Sequence, residues 1–302
     1  MKGAITLQGV SKSYGRVRAL KDVTVSVPES SALAVLGENG AGKTTMIRII
    51  LGLTLPDTGA VQIQGISSGN HLARRSVRYL PERVQFPEWA TPTDVFRHME
   101  RIRKESTPDE FMERANELNC ADLLKRKFGK MSKGQRQRLA LALTTSGNPR
   151  IAILDEPSSG LDPLGRILVR KTVAKLVERG TTILLCSHLL GEVEQVCSHA
   201  AFLSKGCLVA HDSLDRLARF TGAAEVQTDK PQELASFLTQ RGFVCRAEQS
   251  AVVAALEEGA SLHLLAAATA EAGIPFISIA MKRETLEDVF MRVTEGRDSN
   301  VS

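Results

Sequence analysis

Ile5 and Leu7 alternate with polar neighbours, as do Val23, Val25 and Val27, a period of two that predicts half-buried antiparallel strands near the N-terminus. Leu33-Ala34-Val35-Leu36 differs: it is a continuous apolar run ending at Gly37, as expected of a strand buried on both faces. Beyond a glycine-rich turn, Met46, Ile47, Ile50 and Leu51 recur at helical spacing, so this stretch is predicted to be strand, loop and helix. From about Thr91 to Leu143 the pattern is mostly helical. Phe111, Ala115 and Leu118 fall at i, i+4, i+7, and Val95, Met99 and Ile102 make a second stripe; both are read as packing faces of a helical subdomain. Strand-like runs return at Ile151–Leu154 and Thr182–Leu185, and an amphipathic helix opens near Pro163, a favoured first helical residue. Short buried strands alternating with helices imply a largely parallel α/β sheet. A hairpin is expected from Ala200 to Ala210, turning at Lys205-Gly206.

The chain has 302 residues, more than one core usually organises, so two domains are expected. Residues 1–213 form the first, with a helical subdomain at about 90–145; residues 214–222 read as a linker and 223–302 as an accessory domain. In the accessory segment the order is βαββαβ: strand Glu225–Thr228, helix Pro231–Arg241, strands near Val244 and Val252, helix Ser261–Ala272, strand Phe276–Ala280. A helix over Thr285–Thr294 closes it. That order predicts a small α+β domain of ferredoxin-like type.

Aromatic residues make up only 4% of the chain, so the core must be aliphatic. A net charge of +5 suits either nucleic acid or an anionic membrane surface. The basic run Lys125, Arg126, Lys127 and Lys130 is short and lacks interleaved stacking aromatics. It reads as a solvated face, and nucleic acid is not expected as a partner. Five cysteines at scattered positions form no CxxC pair, which argues for reduced thiols in a cytosol. No apolar run reaches the ~18 residues of a membrane span, and the N-terminus carries no signal-peptide core.

Gly37-Glu38-Asn39-Gly40-Ala41-Gly42-Lys43-Thr44 matches G-x-x-x-x-G-K-[ST], with Thr45 next in the chain. Glycines let consecutive backbone N–H groups curl around phosphate oxygens, and the following helix aims its positive end at them. Lys43 would reach the β- and γ-phosphates, and the Thr44 hydroxyl would ligate Mg²⁺. Asp155-Glu156 follows an apolar strand, where open α/β sheets bind ligands. Asp155 would hold Mg²⁺ through its water shell and Glu156 would polarise the attacking water. Met131-Ser132-Lys133-Gly134-Gln135 opens the helix containing Leu139 and Leu143, offering free N–H groups and a hydroxyl, again an anion site. Alone it would be an ordinary serine cap.

Together these stretches resemble the nucleotide-binding subunits of ABC transporters over roughly residues 5 to 215. Gly37–Thr44 resembles their Walker A, Met131–Gln135 their signature, Ile151–Glu156 their Walker B and Ser159–Asp162 their D-loop. His188 resembles the switch histidine and Tyr14 the aromatic that stacks on adenine. The resemblance implies an ATPase acting as a homodimer, in which Ser132, Gly134 and Gln135 of one copy cover the Mg²⁺·ATP held by the other. It also implies an integral-membrane permease as partner, with Glu82–Lys104 as the docking face, and a peripheral place on the cytoplasmic face of the inner membrane. Two positions depart from the family pattern: Lys133 replaces a signature glycine, and Glu82 stands where a glutamine is usual. The Glu82 carboxylate could still ligate Mg²⁺.

The closing Thr285-Leu286-Glu287-Asp288-Val289-Phe290 resembles the tail of the subgroup serving ABC-2-type exporters. Within it, Tyr79–Glu82, Ser132–Gln135 and Cys186–His188 are similar to NosF-like ATPases. That similarity implies a role in copper-site maturation of nitrous oxide reductase and a periplasmic accessory protein reached through the permease. A soluble, non-transport ABC switch is the contrasting class. Such proteins often carry two cassettes or long coiled coils, whereas this chain has one phosphate loop and no heptad run. An ATP binder without turnover is disfavoured by intact Lys43, Asp155, Glu156 and His188.

Overall fold

A computed structural model describes residues 3–256 and 262–295. Ser261, expected to begin a helix, lies outside the described residues. The chain divides into two compact units: residues up to Leu214 together with those from Phe290 onward, and Asp215–Val289.

The first unit begins with the long hairpin β1 (Ile5–Tyr14) and β2 (Val17–Val27). Their alternating Ile5, Leu7, Val23, Val25 and Val27 side chains are all buried, as the period of two requires. After β3 (Ala32–Leu36) and α1 (Lys43–Ile50), strands β4 (Thr58–Ile63) and β5 (Ile66–Ser67) complete an antiparallel sheet of order β2-β1-β4-β5. The short helix α2 (His71–Arg74) leads to β6 (Val77–Leu80). A helical stretch follows, with α3 (Pro92–Arg103), α4 (Pro108–Glu117) and α5 (Lys133–Thr145). Then come β7 (Ile151–Asp155), α6 (Pro163–Glu178), β8 (Thr182–Cys186), α7 (Leu190–Val193), β9 (His199–Ser204) and β10 (Cys207–Ser213). The second sheet has the order β10-β9-β3-β8-β7-β6. It is parallel throughout except for β10, which forms the hairpin with β9. Every residue of β3, β7 and β8 is buried, which is why those strands read as unbroken apolar runs.

Each helix of the helical stretch starts on a capping box. Thr91 pairs with Asp94, Thr107 with Glu110, and Ser132 with Gln135. Phe111, Ala115 and Leu118 are buried as their spacing predicts. The expected stripe Val95-Met99-Ile102 is corrected: Ile102 is 76% exposed, and α3 buries Pro92 and Phe96 instead. The Phe96 ring stacks on Phe111 with centroids 4.6 Å apart, turning the inward face away from Ile102. Helix α5 buries Leu139 through Leu143 without a break, so it packs on more than one side.

Residues 214–222, expected as a linker, carry the helix α8 (Leu214–Leu217) and the first residues of β11 (Phe220–Gln227). The second unit continues with α9 (Pro231–Gln240), β12 (Cys245–Ala247), β13 (Ala251–Ala255), α10 (Leu262–Glu271) and β14 (Ser278–Arg283). Its antiparallel sheet has the order β12-β13-β11-β14. Ala224, Val226, Leu234, Leu238, Val252, Ala254 and Leu265 form its own core. Helix α11 (Leu286–Glu295) crosses the division between units. Phe290, from its middle, groups with the first unit, where its ring lies 6.0 Å from that of Phe202 on β9. Not all of the expected closing helix therefore belongs to the accessory unit.

Candidate active site

Strands β3, β8, β7 and β6 lie side by side and parallel, so segments far apart in sequence leave the sheet at one carboxyl edge. The glycine-rich loop follows β3, Asp155 ends β7 with Glu156 next, His188 follows β8, and Glu82 follows β6. All four segments line one cavity of about 810 Å³.

The loop's shape depends on two glycines. Gly37 has φ 154°, and a Cβ there would meet the Leu203 carbonyl oxygen at 2.2 Å; Gly42 has φ 112° and would meet that of Ala19 at 2.6 Å. A side chain at either position is therefore excluded by both conformation and space. Gly37, Glu38, Asn39, Gly40 and Gly42 line the cavity, followed by Lys43, Thr44 and Thr45 from the first turn of α1. Ala41 does not line it; it is buried, and its N–H donates to the Glu38 carbonyl. The Lys43 ammonium donates to the carbonyls of Gly37 and Glu38, which fixes the charge at the loop's centre.

Asp155 is buried at the cavity floor. Burial first, then the Glu156 and Glu82 carboxylates, push its carboxyl up to about 6, against the pull of Lys43 and a hydrogen bond from Tyr79. The Tyr79 hydroxyl is itself pushed up to about 12, mainly by burial. Three carboxylates thus share this floor with one ammonium, an excess of negative charge that a divalent cation would relieve. Among the described residues no three His, Cys, Asp or Glu side chains converge as a complete metal cage. Mg²⁺ needs none, since it keeps waters and substrate phosphates as most of its ligands. Asp155, Glu82 and the Thr44 hydroxyl, all lining the cavity, fit such an ion.

Glu156 has φ +49°, a left-handed conformation that costs a non-glycine residue about 1–3 kcal/mol. Its N–H donates to the Cys186 carbonyl at 2.8 Å, which ties the end of β7 to β8. Its carboxylate lies 2.9 Å from Nδ1 of His188, the two expected catalytic residues being brought into contact across 32 positions. Because a carboxylate only accepts, Nδ1 carries the proton in this contact.

Ser132, Gly134 and Gln135 do not line the cavity. Ser132 caps α5, its hydroxyl accepting from Gln135 N–H at 3.2 Å while the Gln135 side chain accepts from Ser132 N–H at 3.0 Å. Nor does Tyr14 line it. Tyr14 is 46% exposed at the end of β1, on the face of Lys12, whose ammonium lies 5.7 Å from its ring. The neighbouring Val17, Arg18 and Ala19 of β2 line the cavity instead. Arg18, Lys205 and the Tyr79 contact to Asp155 were absent from the expected site, while Ser159, which also lines the cavity, was expected only as the start of the D-loop stretch Ser159–Asp162. Of the other three, Tyr79 had a signal as part of the stretch preceding Glu82, and Lys205 only as a hairpin turn.

Comparison with known proteins follows the same lines. The family model described as ABC transporter matches residues 20–159. A daunorubicin resistance ATP-binding protein of Streptomyces coeruleorubidus is 30% identical, covering 99% of this chain and 98% of its own. The Nod factor export ATP-binding protein I of a Rhizobium strain is 31% identical over 98% of each. A solved ATP-binding subunit of an ABC transporter superposes with TM-score 0.66 at 29% identity, over 71% of this chain and 91% of that one. A dimeric bacterial ABC transporter cassette gives TM-score 0.64 at 23% identity, over 70% and 98%, a likeness of fold.

Proposed function

This chain belongs to the ABC transporter ATP-binding proteins, the ATP-hydrolysing motors of their transporters, and on that premise we propose that two copies close on two ATP molecules to drive a separate integral-membrane permease. The observation carrying this reading is that the capped helix start at Ser132–Gln135 does not line the cavity formed by the loop at Gly37–Thr44, so the two stretches expected to hold phosphate do not meet in one chain. Each is completed by a second copy. Glu156 polarises the attacking water, and His188, which lines the same cavity, orients the Glu156 carboxylate and would reach the γ-phosphate or its attacking water. Bound Mg²⁺ would neutralise charge on the β- and γ-phosphates. ATP binds the closed pair more tightly than the open one, and that difference does work on the permease.

The docking face is Glu82–Lys104, where Trp89 and Ile102 are 73% and 76% exposed. Among the described residues no helix is long and apolar enough to cross a membrane; a peripheral position on the permease, at the cytoplasmic face of the inner membrane, goes with the proposed permease partner. Relatives named for daunorubicin resistance, Nod factor export and lantibiotic transport support an exporter of the ABC-2 type. The narrower NosF-like role, with copper-site maturation and a periplasmic protein beyond the permease, rests on three short stretches of sequence alone. The strand order β12-β13-β11-β14, antiparallel throughout, supports a ferredoxin-like accessory domain within residues 223–302, serving self-association.

Ser132→Arg tests the shared site. ATP hydrolysis is expected to vanish while the affinity of the monomer for ATP stays near normal. A collapse of that affinity would mean that Ser132 serves the site of its own chain.

A further inference from the structure

Glu156 stands in a backbone conformation that β7 does not impose, so something beyond the strand must hold it there. Two side chains from separate helices grip the three residues Glu156–Ser158. From α5, Gln137 Nε2 donates to the carbonyls of Glu156 at 3.4 Å and Pro157 at 3.2 Å. From α7, Glu192 Oε2 accepts from the Ser158 hydroxyl at 2.7 Å, while its Oε1 lies 3.7 Å from Arg166 on α6. Gln137 and Ser158 are each 4% exposed, so these three bonds are largely shielded from bulk water.

The origins of these two grips matter more than their number. Gln137 lies on the helix that Ser132 caps, two residues past Gln135. Glu192 lies four residues past His188. Gln137 thus ties the backbone of Glu156 to the helix whose start, on the proposed reading, meets the other copy's ATP, and Glu192 ties the Ser158 side chain, two residues on, to the segment bearing the histidine partner of Glu156.

We infer that Gln137 and Glu192 are positioning residues for Glu156: they hold its turn in the strained conformation that aims the carboxylate at His188 and the reacting water. Through Gln137, closure of Ser132–Gln135 on one ATP reaches the hydrolytic carboxylate of the opposite site. This inference rests on Glu156 polarising the water, and it adds what places Glu156.

The test compares Gln137→Met, Ser158→Ala and Glu192→Leu with Glu192→Gln, which still offers an acceptor to Ser158. Each variant is made in the full chain, with melting temperature as the folding control. Gln137→Met, Ser158→Ala and Glu192→Leu are expected to lower kcat about ten- to a hundredfold with KM for ATP changed less than about twofold, the cost of a misplaced catalytic group. Glu192→Gln is expected to recover most of the rate lost in Glu192→Leu. The double variant Ser158→Ala/Glu192→Leu should be no slower than the slower single one, since both remove the same bond. Folded variants with wild-type kcat, or a loss confined to KM, overturn the inference. Should Gln137→Met not fold, Ser158→Ala and Glu192→Leu decide it, because an unchanged kcat in both removes one of the two grips. Glu156→Gln separates the two levels: if it retains turnover, the reading of Glu156 fails. If it loses turnover while these variants do not, only the positioning inference fails.

Discussion

Asp155 is raised by burial first and then by the Glu156 and Glu82 carboxylates beside it, and burial is likewise the first cause of the shifts in three buried thiols. Cys120 and Cys197 are pushed up to about 12 by burial, and fully buried Cys186 is raised well above its ordinary value. Cys207 and Cys245 are only half-buried. Iodoacetamide at pH 8 is therefore expected to alkylate Cys207 and Cys245 in the native protein, and all five cysteines in urea. Peptide mapping that finds Cys186 modified without denaturant would contradict the packing between β7 and β8. At this scale the sequence was most legible where chemistry restricts residue choice. Gly37 and Gly42 admit no side chain, and Lys43, Asp155 and Glu156 follow buried strands or loops in a fixed order. It was least legible for Gln137 and Glu192. A glutamine on a helix has no local pattern that marks its hydrogen bond to a carbonyl 19 positions away.

Helices α4 and α5 begin with the same kind of capping box, yet only one is assigned to nucleotide. Removing either cap should cost about 1 kcal/mol of stability. Thr107→Ala is expected to show that loss in urea unfolding with turnover unchanged, and Ser132→Ala to show a similar loss with turnover reduced. Equal turnover in the two would make the serine a cap and nothing more. On the strand side, His211 of β10 donates from Nε2 to the Ser26 carbonyl of β2 at 3.2 Å. Burial chiefly, with His199 adding to it, holds the imidazole below its ordinary value. The unfolded chain then takes up the proton first as pH falls, so stability is full above the usual histidine range and declines below about 6.5. His211→Gln should flatten that part of the stability profile between pH 7 and 5; an unchanged slope would assign it to other groups. Element types were readable from periodicity, but the inward face of α3 was not. The Phe96–Phe111 stack chose Phe96 over Ile102, and no count of apolar residues along one helix reveals the ring opposite.

Across the whole molecule, α11 complicates any attempt to remove the accessory segment. Truncation at residue 223 takes Phe290 away from Phe202 along with the second unit. Phe290→Ala in the full chain should therefore lower the stability of the first unit by about 1–2 kcal/mol, a half-buried aromatic being worth less than a fully buried one. Thermal unfolding checks it, and deletion experiments on self-association are best judged against that variant. The division at Phe290 was not legible because Thr285–Thr294 reads as one uninterrupted helix, and it remains one. Two units share it.

The most direct test of the shared ATP site is the association state of Glu156→Gln, measured by sedimentation velocity with and without Mg²⁺·ATP. The variant should be monomeric without nucleotide and a stable dimer with it, and adding Ser132→Arg should return it to monomer. A Glu156→Gln protein that stays monomeric at saturating ATP, together with full hydrolysis by a strictly monomeric wild-type chain, would contradict the account.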